Sequence, residues 1–219
     1  MLSEIFYLKC IGCGYRSENG LPICDDCIEE LEKHPHECES CGYPSNIPAK
    51  VCGMCKSAVY RDRIRIAYKY KGAIRQFIKE IKFAYRVTGA KTLKKLVENE
   101  MIGDYDIISD VPSHYSRKLR RLNHPAQGLA EHMANLTNIK YAKILTRTRR
   151  TEYQYKLKKN ERHVNVMNAF SCARDVDGLR ILLIDDIITT GSTTEECSRI
   201  LKCSGASKVD VFALTGGHT

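Results

Sequence analysis

The run Leu179-Arg180-Ile181-Leu182-Leu183-Ile184-Asp185-Asp186-Ile187-Ile188-Thr189-Thr190-Gly191-Ser192-Thr193 decides how the rest of the chain is read. Leu179 to Ile184 is a short apolar run of the kind that forms a strand covered on both faces. It ends on two adjacent carboxylates. A hydroxyl-rich turn with one glycine follows, and Thr193 to Lys202 reads as a helix stopped near Gly205. Ser192 with Glu195, or Thr193 with Glu196, fits a capping box, in which the acid three residues on returns to the helix start. In an open parallel sheet a ligand sits beyond the carboxyl ends of the strands, so chemistry is expected just after Ile184. Backbone amides and hydroxyls at the positive end of a helix suit a phosphate, which makes Thr189, Thr190, Gly191, Ser192 and Thr193 the candidate phosphate turn. The carboxylates of Asp185 and Asp186 repel phosphate and suit instead the vicinal hydroxyls of a ribose, or a magnesium ion. They are the candidate catalytic pair. An ordinary strand-to-helix turn has no reason to keep two acids there, where each costs desolvation energy.

Working outward, strand-like and helix-like segments alternate. Arg65 to Tyr70 reads as a strand, and Gly72 to Arg86 as a helix with Ile74, Phe77, Ile78, Ile81 and Tyr85 on one face. Asp106 to Val111 is a strand, Pro125 to Asn135 a helix carrying Leu129, Ala130 and Met133, and Lys208 to Leu214 a final strand. The pattern predicts an α/β fold with a doubly wound parallel sheet. With 219 residues and 43% hydrophobic residues the chain can bury one ordinary core and carry a small appended module.

That module is written in cysteines. Eight of the eleven form four Cys-x-x-Cys pairs, Cys10/Cys13, Cys24/Cys27, Cys38/Cys41 and Cys52/Cys55. Ten residues separate the first pair from the second and ten the third from the fourth, so residues 10–27 and 38–55 are copies offset by 28. Two such turns close a four-sulfur shell with no open coordination position, which predicts two structural zinc ions. A stretch with few large apolar side chains needs such staples to fold. Disulfides are the plainer alternative, and the doubled spacing argues against them. Local hairpins favour sequential pairing, first with second and third with fourth; an interleaved arrangement also fits the spacings. Cys172, Cys197 and Cys203 stand outside the repeat and read as core thiols. The expected boundary runs between a zinc module at 1–60 and the main domain at 61–219.

The charge is concentrated. Between His114 and His163 there are 13 Lys and Arg against three acids, a local net of +10 in a chain whose total is +9. Such a stretch attracts phosphates, whether of a metabolite or of a nucleic-acid backbone. Tyr115, Tyr141, Tyr153 and Tyr155 lie among these basic residues and suit either base stacking or packing. Met1 to Lys9 is too short and too mixed for a signal peptide, and no run approaches the ~20 apolar residues of a membrane span, so a cytoplasmic protein is expected.

Asp185 to Thr193 resembles the phosphoribosyl pyrophosphate signature of type I phosphoribosyltransferases. Other segments resemble the ComF branch: Val111-Pro112-x-His114-x-x-Arg117, the turn Arg121-Leu122-Asn123-His124, Arg150-Thr151-x-x-Gln154-x-x-Leu157, Glu161-Arg162-x-x-Asn165-Val166-x-x-Ala169-Phe170, and Tyr70-x-Gly72-x-x-Arg75 with Lys82. The double Cys₄ module fits as well, and the likeness covers nearly the whole chain. Asp110, where a proline is usual, and Arg121 and Leu122, where a glycine and an aromatic are common, depart from the pattern. The resemblance implies a phosphoribosyltransferase-type sheet that binds phosphoribosyl pyrophosphate with magnesium. It gives Asp185 and Asp186 the ribose hydroxyls, the turn from Thr189 to Thr193 the 5-phosphate, and His114 and Arg117 the pyrophosphate. It further implies a role in natural competence, with single-stranded DNA and a ComFA-like helicase as partners. An active phosphoribosyltransferase and a non-catalytic phosphoribosyl pyrophosphate sensor are the alternatives.

Overall fold

The structure is a computed structural model that describes residues 8–56, 60–81, 86–98, 100, 103–112, 124–148 and 166–216. The N-terminal part holds a short helix α1 (Asp25–Glu29), a two-stranded antiparallel pair β1 (His36–Glu37) and β2 (Pro44–Ser45), and a 3-10 turn at Gly53–Lys56. Then come β3 (Arg63–Lys69), α2 (Gly72–Ile81), α3 (Arg86–Val97), β4 (Ile107–Asp110) and α4 (Pro125–Thr137). The remainder is β5 (Lys140–Tyr141), β6 (Leu145–Arg147), β7 (Phe170–Cys172), β8 (Arg180–Ile188), α5 (Ser192–Cys203) and β9 (Lys208–Gly216).

Five strands form one sheet in the order β3-β9-β8-β4-β5, and every neighbouring pair is parallel. Strands β6 and β7 form a separate antiparallel pair. From β4 the chain moves outward through α4 to β5, whereas from β8 it moves the other way through α5 to β9. The boundary between β4 and β8 is therefore where the winding reverses, and open parallel sheets bind ligands beyond the carboxyl ends of the strands at such a point.

Both faces of the sheet are covered, as its central strands require. Ile181 and Leu183 of β8, with Val209, Val211 and Ala213 of β9, share one core with Cys197 and Leu201 of α5. Leu182 and Ile184, with Phe212 and Leu214, share the other with Ile74, Phe77 and Ile78 of α2, Leu93 and Leu96 of α3, and Leu129 and Met133 of α4. Alternate residues of one apolar run thus serve opposite layers.

The cysteine repeats dock on opposite faces. Cys10, Ile23 and Cys27 belong to the layer of α2, whereas Cys38, Cys41 and Tyr43 belong to the layer of α5. The second repeat reaches β3 closely: the Ile64 amide donates to Cys41 O at 2.8 Å, and a Cβ on Gly42 would lie 2.3 Å from Ile64 O. Gly42 has φ +76°, so both the contact and the backbone need a glycine there.

Several expectations are corrected. Of the helix expected over Gly72 to Arg86, Gly72–Ile81 is helical and Arg86 opens α3, while Lys82 and Tyr85 lie outside the described residues. Strand β8 runs through both acids to Ile188 and does not stop at Ile184, because β9 continues to pair with it at Asp185, Ile187 and Ile188. Cys197 is fully buried as expected of a core thiol, but Cys203 is exposed on the last turn of α5 and Cys172 is only half-buried. Among the described residues, no helix is long and apolar enough to cross a membrane.

Candidate functional site

Two features of the fold carry chemistry. In the cysteine repeats, Cys10, Cys13, Cys24 and Cys27 converge so that their sulfurs all lie within 4.8 Å of one another, and Cys38, Cys41, Cys52 and Cys55 do the same. Sequential pairing, not interleaving, is the arrangement the hairpins produce. A tetrahedral zinc with Zn–S of about 2.3 Å requires sulfur–sulfur edges of about 3.8 Å. The separations are 3.8 Å for Cys13–Cys24, 3.6 Å for Cys38–Cys55, 3.6 Å for Cys41–Cys52 and 3.8 Å for Cys52–Cys55. A disulfide would close to about 2.05 Å, so the spacing fits a shared cation.

The backbone is arranged for thiolates as well. The amides of Gly12 and Cys24 both donate to Cys10 Sγ at 3.3 Å. Burial pushes the Cys10 thiol up, but the amides of Cys24, Cys13 and Gly12 outweigh it and hold the thiol down at about 6. Cys38 is its counterpart in the second repeat: burial is again outweighed, by the Cys41 amide, the Cys55 side chain and the Ser40 amide, and the thiol sits at about 6. Each cluster can bind a zinc ion.

The second feature is the carboxyl end of β8. β4 pairs with β8 only as far as Asp110↔Ile184, and the Val111 amide then donates to Ile184 O at 2.9 Å. Asp185 and Asp186 follow immediately, half-buried and no longer flanked by β4. Asp185 lies on the α5 side, where its charge is felt by Cys197: burial first, and Asp185 next, push that thiol well up. Asp185 Oδ1 also accepts from the Asp186 amide at 2.8 Å.

Beyond Ile188 the chain turns through Thr189, Thr190 and Gly191 into α5. Gly191 is the N-cap in a left-handed conformation, φ +72°, and its carbonyl accepts from the Glu195 amide at 2.8 Å and from Thr194 Oγ1 at 2.9 Å. Thr190 Oγ1 and Ser192 Oγ are 3.0 Å apart, so two hydroxyls converge over the helix start, where first-turn N–H groups point outward. The expected capping box does not form: Gly191 occupies the cap with no side-chain cap hydrogen bond. The two acids are used elsewhere. Glu195 accepts from the Tyr60 amide and from Arg61 Nη1, both at 2.8 Å, and Glu196 accepts from the Asn168 amide at 2.7 Å and from Arg199.

Sequence reasoning missed these anchors. Arg61 follows the second cysteine repeat and Tyr43 lies inside it, and neither carried a signal of its own; the Glu195-Glu196 pair was visible, but Tyr60, Arg61 and Asn168, which it holds, are more than 25 residues away in sequence. His114 and Arg117 lie outside the described residues, as do Lys118, Arg120 and Arg121. Tyr141 is described, and it anchors: its hydroxyl donates to Asp110 Oδ1 at 2.7 Å. Burial raises the Asp110 carboxyl, and the Tyr141 hydrogen bond works against that rise.

Gly191→Ala tests the strained cap. An alanine must adopt the left-handed region, and its Cβ would meet Arg61 Nη1 and Met54 Cε at 3.4 Å. Denaturant unfolding should show a loss of about 1–2 kcal/mol; an unchanged midpoint would show that the turn relaxes freely.

No family model matches this chain. It is 28% identical over 203 residues to the DNA utilization protein YhgH of Salmonella typhi, covering 88% of this chain and 89% of that one. It is 28% identical over 229 residues to Competence protein F of Haemophilus influenzae, covering 97% and 99%. Among solved structures, an allosteric regulatory enzyme of purine biosynthesis overlaps 63% of this chain at TM-score 0.44 and 23% identity. The chain spans 30% of that enzyme's length.

Proposed function

We propose that this chain, a ComF-type protein by its sequence and its paired cysteine clusters, binds phosphoribosyl pyrophosphate with magnesium after β8 and acts in the uptake of DNA. The observation that carries the reading is the order of groups at the reversal of the sheet: two carboxylates, then a hydroxyl turn, then the positive end of a buried helix. Few ligands need all three. A ribose 5-phosphate offers hydroxyls to Asp185 and Asp186 and a dianion to Thr189, Thr190, Gly191, Ser192 and Thr193. Magnesium would supply charge neutralisation for the pyrophosphate. His114 and Arg117 would face that pyrophosphate. Residues 1–60 would hold two structural zinc ions and residues 61–219 would form the phosphoribosyltransferase-like domain, working in the cytoplasm. DNA uptake is supported by the names of the relatives, Competence protein F and DNA utilization protein.

Binding and turnover are separated by one assay. Calorimetry with phosphoribosyl pyrophosphate and magnesium should show saturable binding, and pyrophosphate release followed with and without nucleobases distinguishes a transferase from a sensor. Absence of binding would sink the reading. Turnover with an acceptor would make the chain a glycosyltransferase, with Asp185 and Asp186 beside a cation-like ribose in the transition state.

The +10 segment from His114 to His163 favours single-stranded DNA as a second ligand, presented by a ComFA-like helicase. If phosphates are held there, the log-log slope of affinity against salt should be about −0.7 per contact. Phosphoribosyl pyrophosphate should compete, because Arg117, Lys118, Arg120 and Arg121 would serve both ligands. Salt-independent binding in anisotropy titrations, or binding unchanged when those four become Ala or Gln, would remove the DNA reading.

A further inference from the structure

The second cysteine repeat and the residues that follow it touch the phosphate turn at three points. Tyr43 Oη donates to Thr189 O at 3.5 Å, the long limit of a hydrogen bond. Met54 Cε and Arg61 Nη1 each lie 3.4 Å from where a side chain on Gly191 would begin. Glu195, whose own amide closes on Gly191 O, has one carboxylate oxygen on the Tyr60 amide and the other on Arg61 Nη1. The pair is interior: the Arg61 side chain is 1% exposed and that of Glu195 8%.

This is an expensive arrangement. Arg61 Nε and Nη2 are also buried, and neither has an acceptor among the described residues. Buried donors left without partners cost free energy, and a buried ion pair often contributes less to stability than apolar side chains of the same volume. Its better-attested use is to specify one conformation. Here the conformation specified is that of the turn, because Glu195 stands on the first turn of α5. Among the described residues the first repeat has no such connection: Cys10 and Cys27 pack with Ile74, Phe77 and Ile78 of α2, across the sheet from α5.

We propose that Arg61 is a positioning residue for the phosphate turn, and that through Arg61, Met54 and Tyr43 the second cysteine cluster sets the turn's conformation while the first does not. The consequence for ligand affinity rests on the phosphate-binding reading above; the consequence for the turn does not. Loss of metal from Cys38, Cys41, Cys52 and Cys55 releases the wall against which Gly191 and Glu195 are held. The second cluster thereby links zinc occupancy to the state of the ligand site.

The test uses the full chain and hydrogen exchange without ligand, followed by titration with phosphoribosyl pyrophosphate and magnesium. Arg61→Met alone strands a buried carboxylate and threatens folding, so the working variant is Arg61→Met with Glu195→Leu, which removes both charges at similar volume. It should keep two zinc ions and an unfolding temperature near that of the parent. Peptides spanning Thr189 to Glu195 should exchange at least about tenfold faster, and affinity should fall at least about tenfold. Cys55→Ser should lose one zinc and loosen the same peptides. Cys13→Ser should also lose one zinc, and should loosen α2 instead. Unchanged exchange at the turn in the Arg61→Met/Glu195→Leu protein overturns the proposal, as does equal loosening of the turn by Cys13→Ser and Cys55→Ser. A parent protein that shows the exchange contrast but binds no phosphoribosyl pyrophosphate overturns the ligand reading and leaves the role of Arg61 intact.

Discussion

Purified protein should contain two zinc ions per chain, and removing them should unfold the cysteine-rich part outright. The reason is the poverty of its core. From residue 8 to residue 56 the buried large apolar side chains are Leu21, Ile23 and Tyr43, and the other buried apolar positions are Pro22, Pro44 and cysteines. Apolar burial of that size cannot offset the backbone entropy of about 50 ordered residues at roughly 1–2 kcal/mol each. A structural zinc contributes about 10–16 kcal/mol in zinc-finger peptides at neutral pH, which is the right scale to close the gap. A strong chelator, or Cys41→Ser in one repeat with Cys10→Ser in the other, should abolish protection from exchange throughout this part. Metal analysis giving about one zinc or none, or the absorbance of an iron–sulfur cluster, would refute the assignment.

Replacing Asp185 and Asp186 together with Asn should weaken binding of phosphoribosyl pyrophosphate with magnesium by a factor of about a hundred or more. Hydrogen bonds to charged groups contribute about 1.5–3 kcal/mol each, and two of them convert to that factor. Asn keeps the shape and removes the charge, so the loss reports the carboxylates. Each single substitution should cost less than the pair. Thermal unfolding of the double variant is the control for folding. Calorimetry showing unchanged affinity would place the ligand elsewhere in the molecule.

Much of this site is legible without coordinates because its parts are local. A Cys-x-x-Cys turn is local, so the four pairs follow from spacing, with sequential grouping favoured by the short hairpins; that Cys10 to Cys27 and Cys38 to Cys55 cluster and do not interleave is seen only in the fold. The strand, acid pair, turn and helix from Arg180 to Cys203 are likewise contiguous, and a continuous apolar run announces a strand covered on both faces. The boundaries were less legible. Whether β8 ends at Ile184 or Ile188 depends on how far β9 runs beside it, and that is a property of the sheet.

The sequence by itself determined the alternation of strands and helices, the four Cys-x-x-Cys pairs and the order of chemical groups after Ile184, since each is set by short-range periodicity or by adjacent residues. Tertiary structure alone decided the strand order β3-β9-β8-β4-β5, which puts those groups at the reversal of the winding. It also decided that the two repeats, nearly identical in pattern, pack on opposite faces of the sheet. The same holds for Glu195: its position three residues after Ser192 reads as a cap, yet it pairs with Arg61, 134 residues away. A local pattern specifies which hydrogen bonds a side chain is able to make. A buried guanidinium brought up by the fold offers that carboxylate a desolvated charge partner, which is stronger than a solvated cap, and the carboxylate takes it.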